Sequence, residues 1–198
     1  MANSQTWPFG DLVAGRYSVI LADPPWSFKA YSNKGLGKSP QGHYACMDLA
    51  AIQALPVAEL SKADAVCLMW ATAPMLPQAV ETLSRWGFQY KTAGAWAKQS
   101  KTGQKLAFGT GYIYRSAAEF YLVGTRGKPT TRARNVRNLI LAPVREHSRK
   151  PDRMRSDIEA LWVGPYCELF ARQPSPGWEA FGNETARFVE PALMEACL

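Results

Sequence analysis

The sequence predicts an α/β fold, in which a central β-sheet carries helices on both faces. Short apolar segments of strand length alternate along the chain with amphipathic segments of helical period, and polar loops containing glycine separate them. The 198 residues, 47% of them hydrophobic, suffice for one compact domain with a buried core. They are too few for two ordinary domains, so we expect a single domain over residues 1–198.

The first half of the chain predicts two strands and two helices. Tyr17 to Ala22 is an apolar run that ends at an aspartate and two prolines, which is typical of a buried strand opening into a rigid loop. Residues 27–44 are rich in Ser, Gly, Lys and Asn and are predicted to form a mobile loop, a candidate lid. Asp48 can cap a helix running to about Leu60. Ala65 to Trp70 is the second strand, and a helix follows near Met75 to Trp86.

The second half of the chain continues the alternation. The predicted strands are Phe88 to Trp96, Ala118 to Gly124, Asn138 to Ala142 and, as the last one, Tyr166 to Ala171. Pro151 opens an amphipathic helix to Trp162, and a short final helix is predicted after Glu184. Five tryptophans in strand or helix patterns are predicted core residues, namely Trp70, Trp86, Trp96, Trp162 and Trp178.

The net charge of +7 favours an anionic partner such as nucleic acid. It arises from 23 basic against 16 acidic residues, and ten of the basic residues lie between Arg126 and Arg155 beside only two acids. The alternative interpretation of this stretch is a solvated loop and helix face.

Cysteine usage and the chain start indicate an intracellular protein. The four cysteines form no CxxC pair, and His43 and His147 lack zinc-ligand spacing, so we expect reduced thiols, no metal and no catalytic role for either histidine. No segment has the length of a membrane span, and the first residues lack a signal-peptide pattern. We expect a soluble cytoplasmic protein of bacterial or phage origin, associated with the nucleoid if its substrate is DNA.

The tetrad Asp23-Pro24-Pro25-Trp26 directly after the first strand predicts chemistry on an amino group. An adenine amino nitrogen is a poor nucleophile because its lone pair is delocalised into the ring. The Asp23 carboxylate and the Pro24 carbonyl supply two acceptors for its hydrogens, and consecutive prolines keep these acceptors preorganised. Trp26 offers a face on which an extruded base can stack. The alternative is an ordinary turn with an Asx cap and a core tryptophan.

Several blocks in order make the chain resemble the MT-A70-like adenine methyltransferases. They are YSVILADPPW, then HYACM, FGTGYIYRSAAEFYLVGTRGKP, HSRKPD and ELFARQPSPGWEAFGNE, and they extend from about Tyr17 to Glu184. The resemblance implies a Rossmann-like methyltransferase fold with permuted motif order, in which the catalytic tetrad precedes the cofactor-binding block. This agrees with the lack of a GxGxxG after the first strand.

The resemblance also implies that S-adenosylmethionine is the methyl donor and S-adenosylhomocysteine the product. The cofactor-binding residues that it implies are Ala22, Asp23, Lys150, Arg172, Asn183 and Glu184. Lys150 is expected near the methionine carboxylate, and Arg172, Asn183 and Glu184 around the ribose. Without the resemblance, Asn183 and Glu184 would simply begin the last helix and Arg172 would be a surface ion pair.

Substrate contacts are predicted at several positions, each of which also has an ordinary structural interpretation. Tyr44 and Met47 match the segment bordering the base pocket but are otherwise typical of a core. Ser148 can contact the target base or cap the following helix. The segment Phe108 to Tyr112, with Lys98, Lys101 and Lys105 before it, suits a nucleic-acid backbone but also a solvated loop. The remaining candidates, from the basic stretch, are Arg132 and Arg134.

The predicted partner is therefore a nucleic acid, with DNA favoured over RNA because small stand-alone members of the family are typically bacterial or phage proteins. An RNA adenine methyltransferase and a catalytically silent nucleic-acid-binding member of the fold are the alternatives. Transfer to the amino group of cytosine is a further one, since the same acceptor geometry serves it. The larger family members carry separate RNA-binding fingers and pair with an inactive partner that builds much of the substrate groove. In this chain either the basic stretch from Arg126 to Arg155 or a second copy of the chain would take that role, so we also expect some self-association as a homodimer.

Overall fold

The structure is a computed structural model that describes residues 7–27, 47–146, 148–185 and 187–188. The mobile loop predicted at 27–44 lies outside these ranges apart from Ser27. The final helix predicted after Glu184 also lies mostly outside them.

Seven strands in the described ranges form one sheet, in the order β5-β3-β4-β2-β1-β6-β7. The strands are β1 Tyr17–Ala22, β2 Ser61–Ala71, β3 Gln89–Gln99, β4 Ala118–Arg126, β5 Leu139–Pro143, β6 Tyr166–Leu169 and β7 Trp178–Phe181. The helices are α1 Leu49–Gln53, α2 Val57–Leu60, α3 Leu76–Arg85 and α4 Arg153–Leu161, with a 3-10 turn at Ala73–Met75 before α3. None of them is long and apolar enough to cross a lipid bilayer.

Six strands run in one direction and β4 runs against them. β1 pairs in parallel with β2 and β6, β6 with β7, and β3 with β5, whereas β4 is antiparallel to both β2 and β3. The carboxyl ends of six strands therefore meet the amino end of β4 at one side of the sheet, here called the carboxyl edge. Ligands of open α/β sheets bind at this edge.

Apolar side chains pack on both faces of the sheet. The first core joins residues of β1 and β2 such as Ile20 and Met69 to α1, α2 and α3. The second core joins the alternate strand residues, among them Leu21, to Met154 and Ile158 of α4. The central strand β1 is thus buried on both sides, which explains why it reads as a continuous apolar run.

The architecture confirms the predicted α/β class and is that of a Rossmann-like methyltransferase fold. The permuted order of the motifs stays a prediction. All six predicted strands and the helices near Met75 and Pro151 are present with shifts of a few residues at their ends. Four of the five predicted core tryptophans are buried, and Trp162 is half-buried against the second core.

Two elements differ from the prediction. Asp48 does cap a helix, accepting the Ala50 N–H at 3.2 Å, but that helix ends early and α2 begins only after Pro56. Proline lacks an N–H and is not tolerated inside a helix, which explains the break. Tyr166 to Ala171 is not the last strand, because β7 follows at the sheet edge. With four residues, β7 is too short to show an alternating pattern.

Candidate active site

Four charged side chains form a continuous chain at the carboxyl edge. The Lys150 ammonium donates to Asp23 Oδ2 at 2.8 Å and lies 3.3 Å from Glu119 Oε2. The other Glu119 oxygen, Oε1, accepts a hydrogen bond from Lys98 Nζ at 2.5 Å. These side chains are only 15–21% exposed, so their charges interact more strongly than those of surface ion pairs.

Strand topology brings these charges together. Asp23 directly follows β1, and Lys98 is near the carboxyl end of β3. Glu119 is the second residue of β4 and reaches the same edge because that strand runs antiparallel to its neighbours. Lys150 arrives from the segment before α4, with its ammonium 5.6 Å from the centroid of the Trp70 ring, a cation–π contact.

The two lysines determine the protonation state of Glu119. Burial alone raises the pKa of this carboxyl group, but the nearby charges of Lys150 and Lys98, together with their hydrogen bonds, outweigh that effect. The pKa falls from 4.5 to about 2. Glu119 is therefore an anion at neutral pH and anchors both lysines.

The Asp-Pro-Pro-Trp tetrad forms a fixed turn directly after β1. The Asp23 N–H donates to the Leu169 carbonyl at 3.3 Å, which ties the turn to β6, and the Pro24 carbonyl accepts the Trp26 N–H at 2.8 Å. A carbonyl oxygen has a second lone pair, so Pro24 keeps acceptor capacity. Of the Asp23 carboxylate, only Oδ2 is engaged, by Lys150; Oδ1 accepts no hydrogen bond from the described part of the chain.

Trp26 does not offer a free stacking face. Its side chain is 4% exposed and packs in the first core, and its indole N–H donates to the Trp70 carbonyl at 2.8 Å. The prediction that Trp26 stacks on the target base is therefore wrong for this structure. Burying a large ring whose N–H is satisfied by the backbone favours the inward position, and Trp26 braces the turn against β2.

A cleft opens beside Asp23, with an empty volume of about 420 Å³ that includes open solvent. Apolar walls come from Leu21, Trp70 and Met154, and the segment before α4 forms one rim. The polar lining residues are Asp23, Ser148, Arg149, Lys150, Arg155, Glu168, Arg172 and Gln173. Charges of both signs thus converge on one cleft at the carboxyl edge.

Two residues of the cleft adopt a backbone conformation that favours glycine. Ser148 has φ 63° and Phe170 has φ 60°, and they are the two non-glycine residues with positive φ in the described ranges. Such residues cost about 1–3 kcal/mol each and are concentrated at binding sites. Their presence on the walls of the same cleft supports a binding role for it.

The cleft includes some of the predicted cofactor-binding residues but not others. Asp23, Lys150 and Arg172 line it, and Glu184 lies behind Arg172, with Oε2 at 3.6 Å from its Nε. The Ala22 side chain is buried in the first core, and Asn183 is an exposed turn residue after β7. The structure therefore does not bring the Ala22 and Asn183 side chains to the cleft. A ligand that carries both a carboxylate and a cation fits the charges that are present.

Some of the predicted substrate-binding residues lie at the site, and others do not. Ser148 lines the cleft, and Lys98 belongs to the chain of charges beside it. Met47 is half-buried against the first core, which agrees with the alternative interpretation. Tyr44 lies outside the described residues.

The basic stretch divides into two surfaces. The Arg132 N–H donates to the carbonyl of Leu161, the last residue of α4, at 2.8 Å. Lys150 lies at the other end of this helix of nine residues, which is about 14 Å long. The loop between β4 and β5 therefore carries Arg132 and its exposed neighbour Arg134 to the far end of α4, where their contact with nucleic acid stays a prediction. Of the same stretch, Arg149, Lys150 and Arg155 line the cleft.

Three charged residues of the site are absent from the sequence predictions. Glu119 reads as part of an apolar strand, and Glu168 lies inside the ELFAR block without a role of its own. Arg155 looks like one more charge on an amphipathic helix. A charged residue within a buried strand was the one available signal, because such a residue needs a partner.

The comparisons with known proteins agree with this geometry. A family model described as MT-A70 matches residues 17–184. The chain belongs to the MT-A70 family. It is 32% identical over 195 residues to the type II methyltransferase M.MunI of Mycoplasma sp, a match that covers 89% of the chain and 81% of that protein.

Eukaryotic MT-A70 proteins match over a smaller part of their length. The chain is 30% identical over 189 residues to the N(6)-adenosine-methyltransferase MT-A70-like protein of Drosophila melanogaster, and 28% identical over 177 residues to the human N(6)-adenosine-methyltransferase catalytic subunit METTL3. These matches cover 92% and 87% of the chain but only 29% of each relative. The family resemblance predicted from the sequence is thus confirmed.

Replacing Trp26 by Phe tests its bracing role. The Trp26→Phe change keeps an aromatic ring but leaves the buried Trp70 carbonyl without its partner, so we expect the free energy of unfolding in urea to fall by about 1–3 kcal/mol. Trp162→Phe is the matched control, since the half-buried indole of Trp162 donates no hydrogen bond within the described residues. If Trp26→Phe keeps the stability of the parent but binds oligonucleotides more weakly, Trp26 stacks on the target base and does not brace the turn.

Glu119→Gln tests the chain of charges through its pH dependence. Because the pKa of Glu119 is depressed, its carboxylate stabilises the fold above the ordinary value of 4.5, and this stabilisation is lost as the pH falls towards about 2. We expect the variant to be less stable than the parent at pH 7 and the difference to shrink across that acid range. Glu81→Gln, at an exposed helix pair, should show little difference at any pH; the same flat profile for Glu119→Gln contradicts the electrostatic assignment.

Proposed function

We propose that this chain transfers a methyl group from S-adenosylmethionine to the 6-amino group of adenine in DNA. The observation that carries the proposal is the Asp23 carboxylate beside the cleft, which Lys150 fixes through Oδ2 while Oδ1 accepts no hydrogen bond from the described residues. Family membership supports the reaction class, since the eukaryotic relatives are named as N(6)-adenosine methyltransferases.

Asp23 and Pro24 provide the chemistry at the acceptor. When the two amino hydrogens bond to Asp23 Oδ1 and the Pro24 carbonyl, the nitrogen lone pair leaves conjugation with the ring and becomes nucleophilic. The donor, when bound, supplies a methyl group activated by its sulfonium. Both acceptors are held before the reaction, one by Lys150 and one by the proline backbone, so little reorganisation remains for the transition state.

Lys150 has a second task in this proposal. Its ammonium lies on the cleft wall together with Arg172, where cations suit the carboxylate of the donor. Because the same ammonium bonds Asp23, donor and acceptor sites share one side chain. This shared contact fixes the donor and the acceptor groups relative to each other. Proximity of this kind supplies a large part of catalytic rate enhancement.

The loop between β3 and β4 is the candidate nucleic-acid contact. It joins two strand ends at the carboxyl edge, and residues 100–117 include three basic residues and no acid. Phe108 and Tyr114 are 65% and 87% exposed. Exposed aromatic rings beside positive charge are typical of surfaces that stack on nucleotide bases.

DNA is the preferred substrate because the bacterial relative M.MunI is matched along most of its length, whereas the adenosine methyltransferases are matched over less than a third. RNA is the second candidate, favoured by the names of those relatives. Homodimer formation stays a prediction.

Methyl transfer to three substrate pools tests the reaction and the substrate together. The chain is incubated with radiolabelled S-adenosylmethionine and sequence-matched single-stranded DNA, duplex DNA or RNA, followed by nucleoside mass analysis. We expect N6-methyladenine in a DNA pool. N6-methyladenosine in the RNA pool alone would select the second candidate, methylcytosine would assign the other amino group, and donor binding without transfer to any pool would favour the silent fold.

Asp23→Ala tests the acceptor role. We expect the rate of transfer to fall by about 100-fold or more, as when one preorganised transition-state contact is removed, while the Kd for S-adenosylhomocysteine changes far less. Asp64→Ala is the control: this carboxylate, at the opposite end of β2, accepts the Lys128 N–H at 2.7 Å and should tolerate removal without loss of transfer. Normal turnover by the Asp23 variant contradicts the mechanism.

A further inference from the structure

An ion pair between α4 and β6 closes one side of the cleft. Arg155 Nε donates to Glu168 Oε2 at 2.8 Å, and its Nη2 lies 2.7 Å from the same oxygen. The two side chains are 13% and 12% exposed. Asp152 also accepts from the guanidinium, at 3.4 Å, so Arg155 is held from two sides.

The contact with Arg155 engages only one of the two carboxylate oxygens of Glu168. Both nitrogens of Arg155 meet Oε2, and Glu168 Oε1 accepts no hydrogen bond from any residue in the described ranges. Glu168 lines the cleft together with Asp23 and Lys150. An acceptor oxygen of a charged side chain thus belongs to the cleft lining without a donor from the described residues.

Arg155 is also the largest influence that lowers the pKa of Glu168. Burial raises the pKa of Glu168, and the neighbouring charge of Asp23 raises it further. Arg155 lowers it by its charge and hydrogen bonds, and Lys150 lowers it to a smaller extent, with a net pKa above the ordinary value. Without the guanidinium, the carboxyl group would take up a proton at a higher pH than it does now.

We propose that Arg155 is a positioning residue for the methyl donor, holding Glu168 so that its Oε1 accepts a hydrogen bond from the α-ammonium group of the donor. This rests on the proposed function. The methionine end of the donor carries an ammonium and a carboxylate on one carbon, so its site needs an anion and a cation close together. Glu168 and Lys150 meet this need, because both line the cleft and their charges interact.

Binding of two ligands by calorimetry tests the proposal without a catalytic readout. The ligands are S-adenosylhomocysteine and its analogue that lacks only the α-amino group. We expect the parent protein to bind the complete ligand about tenfold or more tighter than the analogue, as for a charged hydrogen bond. Glu168→Gln and Arg155→Met should reduce this ratio to within about threefold.

Controls separate positioning from general damage. Arg153→Met removes an exposed arginine from the same helix, paired with Asp157, and should keep the parent ratio. Arg155→Lys keeps the charge without the guanidinium geometry and should restore part of the ratio. In Arg155→Met the pKa of Glu168 should be higher than in the parent, so its carboxylate forms only at a higher pH. Because the carboxylate binds the ammonium group, the ratio should rise again as the pH increases.

The outcomes are distinguishable. If the parent binds both ligands equally, or if Arg155→Met keeps the full ratio, the inference is wrong while the proposed function stands. If Arg155→Met weakens both ligands equally at every pH, Arg155 has only a structural role and the inference also fails. If the parent protein binds neither ligand, the proposed function itself fails.

Discussion

The organisation of the site depends on the ion pairs of Lys150. Its ammonium joins the Asp23 carboxylate to Glu119, and Glu119 in turn holds Lys98. These residues come from three strands and the segment before α4, so a single cation connects elements far apart in sequence. Buried charges are costly unless they are paired, and here each has at least one partner of opposite sign. Loss of the central cation would leave two carboxylates facing each other at low exposure.

The sequence was sufficient for the parts of the molecule that depend on local patterns. Strands such as β1 are continuous apolar runs buried on both faces, and Asp48 shows its capping role directly. The tetrad and the ELFAR block could be assigned because their spacing is specific to the family. For the same reason Asp23, Lys150 and Arg172 were identified before the structure placed them at one cleft.

The remaining features depend on tertiary structure. Glu119 reaches the site because β4 runs antiparallel, and nothing in its own segment indicates strand direction. Trp26 turned inward because a backbone carbonyl of β2 was available to its indole. Arg132 and Arg134 share a basic stretch with Lys150, yet a short helix carries them away from it. Charge density along a sequence does not indicate which end of a helix each residue will occupy.

The hydrogen bond from Trp26 to the Trp70 carbonyl makes the catalytic turn continuous with the hydrophobic core. A flap hinged at the surface can open for its substrate, but a turn anchored in this way cannot swing without breaking core packing. In the proposed reaction this turn receives the target base, so the nucleic acid would supply the motion by delivering a base already turned out of its strand. Substrate deformability, in this view, becomes a determinant of which adenines are accepted.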